Sequence, residues 1–310
     1  MAAQARLRSS YIYLANAVND LRGNWTIIAI VLAPLVLASA LCLLPDAINL
    51  QWKLVKTFEP GMTSVSMTSV SWVRPVQVPY RPEMRPARKP PFPHWATTIL
   101  HLLSAFIAFV GVNLVVLCAL RRIQAGERMP RPLDEGIAVY REAARLLGSF
   151  VWVSLLEVLA MAVGVVLLVV PGVLAYVWLY FAQYALVFDG RRSWSALLHS
   201  RDLMRGSFFR VAVRIAVFLV VWSGFSSWAG AVFFGVSLLV GSVGMITGAL
   251  WASIFLVDLL AVAVTYTTIA FLLAAALRLY QDLSGIAAER TALAPEATLP
   301  PTAPLPTVSA

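Results

Sequence analysis

Residues 147–192 read LGSFVWVSLLEVLAMAVGVVLLVVPGVLAYVWLYFAQYALVFDGRR. Two apolar runs, Leu147 to Val170 and Val173 to Phe188, meet at Pro171-Gly172 with no polar loop between them. The second run ends in Asp189-Gly190-Arg191-Arg192. Proline lacks an N–H donor and glycine favours turn geometry, so the pair breaks a helix. Two apolar segments of this length, joined this tightly, predict an antiparallel transmembrane hairpin. The solvent for this chain is therefore a bilayer.

Composition points the same way. Of 310 residues, 60% are hydrophobic and only 13% charged, with a mean hydropathy of +0.80. Soluble domains sit near 45–50% apolar and about 25% charged. A bilayer can take the excess at roughly 20 apolar residues per helix. The formal charge is +9. Most arginines flank apolar runs, so the charge reads as membrane orientation and contact with anionic lipid, not as a nucleic-acid surface. Cys42 and Cys118 both fall inside apolar runs without metal-ligand spacing and read as buried, inert thiols. The first apolar run ends Ala-Leu-Cys-Leu-Leu-Pro with no convincing cleavage site, and is read as an uncleaved helix.

Outward from the hairpin, the chain predicts an all-α polytopic membrane protein of about six spans. Residues 1–24 are a cytoplasmic N-terminal segment in which Tyr11, Leu14, Ala15 and Val18 recur at helical spacing. The membrane domain covers 25–284. Its first helix runs from about Trp25 to Leu44, kinked at Pro34 and closed by Pro45. An outer Pro-rich loop, 46–94, follows, with Val70, Trp72, Val76, Val78 and Tyr80 alternating as in an extended strand. It is read as a connector or as an extracytoplasmic contact surface. Helix two spans about Trp95 to Leu120, helix three about 146–170 and helix four about 173–188. Residues 191–207 are too polar to span. They predict an amphipathic interfacial helix between helices four and five, with Ala196, Ser200, Leu203 and Ser207 on one small-residue face. Trp194, Leu197, Leu198 and Met204 lie on another side, beside Arg201 and Arg205. Residues 208–277 accommodate two helices with a turn near 240–248, or three shorter ones. Residues 285–310, rich in Ala, Thr and Pro, read as a disordered cytoplasmic tail.

With the N-terminus in the cytoplasm, segments 1–24, 121–145, 189–214 and 278–310 carry 3, 6, 6 and 2 Lys/Arg, or 17 of the 24. The outer loop carries the other 7. The positive-inside rule favours this orientation, with both termini cytoplasmic.

Three pieces carry a resemblance. They are Val170-Pro171-Gly172, then ALLHSRDLMRG over 196–206, then Leu279-Tyr280-Gln281-Asp282-Leu283 after the last helix. In order and spacing they resemble a bacterial superfamily of six-helix membrane proteins, which includes the membrane domain found beside the catalytic domain of some glycerophosphodiester phosphodiesterases. That pattern is a Pro-Gly hairpin, an Ala-Leu-x-x-Ser-x-x-Leu-x-x-Gly interfacial helix and a closing Tyr-Tyr-Asp-Leu-Arg. The chain departs from it at Gln281 and Ser284. The resemblance covers about residues 145–284 and marks Pro171, Gly172, Ser200, Gly206, Tyr280 and Asp282 as motif residues. It implies an architecture and a place in a bacterial cytoplasmic membrane. The phosphodiesterase chemistry belongs to a separate soluble barrel and is not carried over.

Glu157 and Asp258 lie inside apolar helices, where a carboxylate costs roughly 2.5–3.5 kcal/mol at the helix centre and calls for a partner or a proton. Arg214, at the cytoplasmic start of helix five, is the expected partner of Glu157. The three form a candidate buried polar site, read as a proton- or cation-coupled site or as polar glue between helices. Arg191, Arg192, Arg201 and Arg205 are the expected lipid-headgroup contacts. His94, His101 and His199 show no metal-ligand spacing, Asp134-Glu135 reads as a solvated loop feature, and no nucleophile motif or phosphate-cradling loop appears. No cofactor or metal is expected. The pattern favours a non-enzymatic membrane scaffold or accessory subunit with a membrane-protein partner. The alternative is a small transporter or lipid-handling protein that uses Glu157 and Asp258.

Overall fold

Long apolar runs can satisfy their backbone groups in lipid only as helices or closed barrels, and here they form helices. The computed structural model describes residues 7–58, 91–127, 131–167, 169–191, 194–247 and 250–293, all of whose regular structure is helical. The elements are α1 (Ser10–Gly23), α2 (Trp25–Phe58), α3 (His94–Phe106), a π-helical turn (Ile107–Val112), α4 (Asn113–Ala125), α5 (Pro132–Leu167), α6 (Val169–Leu179), α7 (Ala182–Phe188), α8 (Trp194–Met204), α9 (Phe208–Thr247) and α10 (Leu250–Leu293).

Among the described residues, five stretches are long and apolar enough to cross a membrane: Trp25–Gln51, His94–Ala125, Pro132–Val166, Phe208–Ser242 and Leu250–Glu289. The chain is thus an all-α, multi-pass membrane protein. A sixth apolar stretch, Gly172–Phe188, is shorter. At about 1.5 Å per residue it reaches roughly 26 Å, just under a hydrocarbon core of about 30 Å.

Several boundaries differ from the sequence expectation. Pro45 does not close the first helix, because α2 runs on to Phe58. Helices in membranes absorb internal prolines, and buried Ala47 and Asn49 continue the packed face beyond Pro45. The Asn49 amide then exchanges two hydrogen bonds with the backbone of Phe92, each 3.2 Å. The first thirteen residues of the expected outer loop 46–94 are therefore helical, and its expected strand lies outside the described residues. Helix three begins at Pro132, well before 146. Pro132 opens α5, and Asp134 and Glu135 occupy its first turn. Both features stabilise a helix N-terminus. Glu135 is buried, only 2% exposed, so the expected solvated loop is corrected there.

The hairpin break precedes the Pro-Gly pair. α5 ends at Leu167 and α6 starts at Val169, which makes Pro171 the third residue of α6. A proline in the first helical turn gives up no intrahelical bond. Gly172 is where the hairpin closes: a Cβ there would stand 2.8 Å from the backbone N of Val165. The stretch 208–277 resolves into two helices, α9 and α10. The tail from 285 is helical as far as Leu293, where Ile286-Ala287-Ala288-Glu289 supply good helix formers; the remainder lies outside the described residues. In α1 the buried face is Tyr13, Ala17 and Leu21, whereas Tyr11 and Val18 face outward.

Two compact units divide the chain. The first comprises Met1–Leu35, Ala108–Ser227 and Val264–Ala310, the second Val36–Ile107 and Trp228–Ala263. Within the first, α5 packs against α4, α6, α7 and α8, and α8 against α6 and α7.

Candidate functional site

The sequence singled out residues on both sides of a break that it did not predict. Helix four is interrupted at Tyr180-Phe181, between α6 and α7. Such a break orphans a carbonyl and an N–H. Ser200 of α8, fully buried, serves both. Its hydroxyl donates to the Trp178 carbonyl at 2.6 Å and accepts from the Phe181 N–H at 3.2 Å. The face expected to pack inward, Ala196, Ser200, Leu203 and Ser207, is buried. Leu197 and Met204 join it, while Trp194 and Leu198 stay exposed. Gly206, in the left-handed region at φ +83°, turns the chain from α8 into α9.

The other motif residues also end in side-chain locks. Tyr280 donates its hydroxyl to Asp189, at the end of α7. His199 Nε2 lies 3.1 Å from the same carboxylate oxygen. Burial and the nearby Arg191 cation lower the His199 pKa, against the opposing pull of Asp189 and Asp202. Asp282 accepts from the Tyr13 hydroxyl at 2.8 Å, with the Arg8 guanidinium 3.8 Å away. Burial, then that carboxylate, push the Tyr13 hydroxyl up to about 12. Asp20 receives two bonds from Arg278, at 2.8 and 2.7 Å. These contacts tie α1 and α7 to α10. The sequence pattern gave no sign of Asp20, Tyr13 or Asp189 as partners, because each contact joins residues 91 to 269 positions apart.

Glu157 is buried in α5, but Arg214 is not its partner. The Glu157 carboxylate accepts from Gln183 Nε2 of α7 at 3.1 Å, and the same amide nitrogen lies 3.4 Å from the Ser154 hydroxyl. Arg214 instead donates to the backbone carbonyls of Leu7, Arg8 and Arg210. At the start of a long helix it reaches back to the chain entering α1, where unpaired carbonyls are available, rather than down into lipid. Beside Gln183 lies an aromatic cluster in which Phe181, Tyr184 and Tyr280 meet with ring centroids 5.7–5.8 Å apart. One signal for Gln183 was present in the sequence. Gln183 is a polar residue inside the apolar run that follows the Pro-Gly pair.

Asp258 belongs to the second unit and is half-buried. It has no hydrogen-bond partner among the described residues, and Asp46 lies within electrostatic reach. Asp46 itself contacts His101. Within the first unit the expected Glu157–Arg214 pair is not formed, since each has other partners. Cys42 and Cys118 are buried free thiols, and no group of three His, Cys, Asp or Glu side chains converges among the described residues.

Of the four expected headgroup arginines, Arg191 is exposed and Arg192 lies outside the described residues. Arg201 and Arg205 line a cavity of about 420 Å³ together with Trp178, Asp202, Gly206 and Phe208. Comparison with protein-family models, with curated proteins and with solved structures finds no match.

Proposed function

We propose that this chain is a non-catalytic integral membrane protein, a scaffold or accessory subunit that works through a membrane partner. What carries the proposal is how its polar side chains are used. Ser200 holds a broken helix, Tyr280 and His199 meet Asp189, Tyr13 and Arg8 meet Asp282, and Gln183 meets Glu157. Groups of this kind build an active site when they converge on a cavity; here they join helix to helix. In this reading the chain has six spans, the five long apolar stretches plus the shorter Gly172–Phe188, with α8 in the headgroup layer of a bacterial cytoplasmic membrane and both termini in the cytoplasm. The relation to the membrane domain of glycerophosphodiester phosphodiesterases is part of the same proposal. Reporter fusions after Asp282 and near Thr68 should report opposite compartments; the same compartment for both would reject six spans. Affinity purification from native membranes, with co-purifying proteins and lipids identified, tests the scaffold role, and a protein that reproducibly emerges without a stoichiometric partner counts against it.

A second reading, lipid handling, is favoured by one observation. The cavity beside α8 presents two arginines and an aromatic wall on the side of the protein that the proposal assigns to the headgroups.

A further inference from the structure

We propose that the cavity between α6, α8 and the start of α9 binds a phosphate ester that carries a hydrogen-bond donor beside its phosphate. Its volume, about 420 Å³, lies within the roughly 300–1,000 Å³ usual for small-molecule sites. Arg201, in the last turn of α8, and Arg205, just past its end, both line it. Planar guanidinium forks match phosphate oxygens in a way that a point charge does not. Arg201 is held in place: its Cζ lies 5.9 Å from the centroid of the Trp178 ring, a cation–π distance. Phe208 meets the same ring edge-on at 6.0 Å. The cavity thus has a cationic wall for the phosphate and an aromatic wall for the carbon attached to it.

Asp202 also lines the cavity. One carboxylate between two arginines disfavours a bare, doubly charged phosphate but accepts readily from an ammonium or hydroxyl group. Phosphate plus donor is the chemistry of an ethanolamine-type headgroup, and equally of a soluble phosphate ester. The lipid source rests on the proposed position of α8 in the headgroup layer; the soluble source does not.

The test uses the full chain in detergent and two probes. Native mass spectrometry measures retention of phosphatidylethanolamine against phosphatidylcholine, and thermal shift measures binding of soluble phosphoethanolamine. Each charge-assisted contact removed should weaken binding about tenfold or more, so R201Q/R205Q should lose at least that factor. R141Q/R145Q removes the same charge from an exposed pair with the same spacing on α5 and should leave binding unchanged. D202N should erase the preference for ethanolamine over choline. Loss of lipid retention in R201Q/R205Q alone identifies a headgroup site. Loss of the soluble response alone, with lipid retention intact, keeps the phosphate site and removes the lipid source. Equal binding of both probes by wild type and R201Q/R205Q, or an equal loss in R141Q/R145Q, overturns the site.

Discussion

Two sets of carboxylates in the first unit are stabilised in opposite ways. Asp20, near the end of α1, Asp189, just past α7, and Asp282, late in α10, are all partly exposed and meet cations, an imidazole and phenols. Glu157, inside α5, meets an amide and, through it, a hydroxyl. Within a water-excluded bundle a second full charge carries its own desolvation cost, and a neutral donor satisfies the acceptor without it. Where a carboxylate is partly exposed and water reaches, the cation keeps part of its hydration and the pair costs less. The lesson is that depth predicts whether a carboxylate needs a partner, while the surrounding solvent selects which kind.

The sharpest way to break that contrast is Gln183→Leu. It leaves the Glu157 acceptor buried without its donor, a defect that costs about 3 kcal/mol. Thermal or denaturant unfolding in detergent should show the loss, and Glu157→Leu on top of it should restore much of it. A Gln183→Leu protein as stable as wild type would mean that Glu157 has water or another donor, and the amide-for-cation argument would fall.

Ser200→Ala comes next. The hydroxyl is the partner of two backbone groups at the break between α6 and α7. Their loss should cost about 2 kcal/mol, with Ser200→Thr retaining part of the stability if the added methyl is accommodated. Hydrogen exchange at the Phe181 amide should rise in Ser200→Ala; unchanged protection there would show that the break is supported from elsewhere.

How much of this was legible follows the range of each signal. Apolar run lengths placed the membrane helices because a bilayer enforces them locally. The small face of α8 was legible from spacing alone. Pro45 and Pro171 misled because a proline marks where a helix is costly, while packing and lipid decide whether it ends there. The break at Tyr180-Phe181 carries neither Pro nor Gly, and the hydroxyl that serves it, Ser200, lies 19–22 residues away. Glu157 was legible as a buried charge in need of a partner, but its partner, Gln183, is neutral and stands 26 residues away.

A double-mutant cycle on Glu157 and Arg214 sharpens the contrast at smaller amplitude. Their partners are separate, so E157Q and R214Q should add within about 0.5 kcal/mol. A larger coupling would restore the pair that the sequence led us to expect.

The smallest effect concerns the partly exposed set. His199, with Asp189, Arg191, Asp202 and Tyr280 around it, is disfavoured as a cation in the folded protein by burial, then by Arg191. A base whose pKa is lowered by folding gives its full stability above its unfolded value, near 6.5, and loses it as pH falls through the folded value. Acidifying from about pH 7.5 to about pH 5 should therefore lower the Tm in detergent. The informative quantity is the difference between wild type and His199→Gln, which removes the contribution of every other group. The variant should show the shallower decline across that window and meet the wild-type curve above it. Parallel curves would show that His199 does not contribute to the slope. A steeper decline in the variant would mean that the attraction of Asp189 outweighs burial, and that His199 belongs with the cations as a full ion-pair partner.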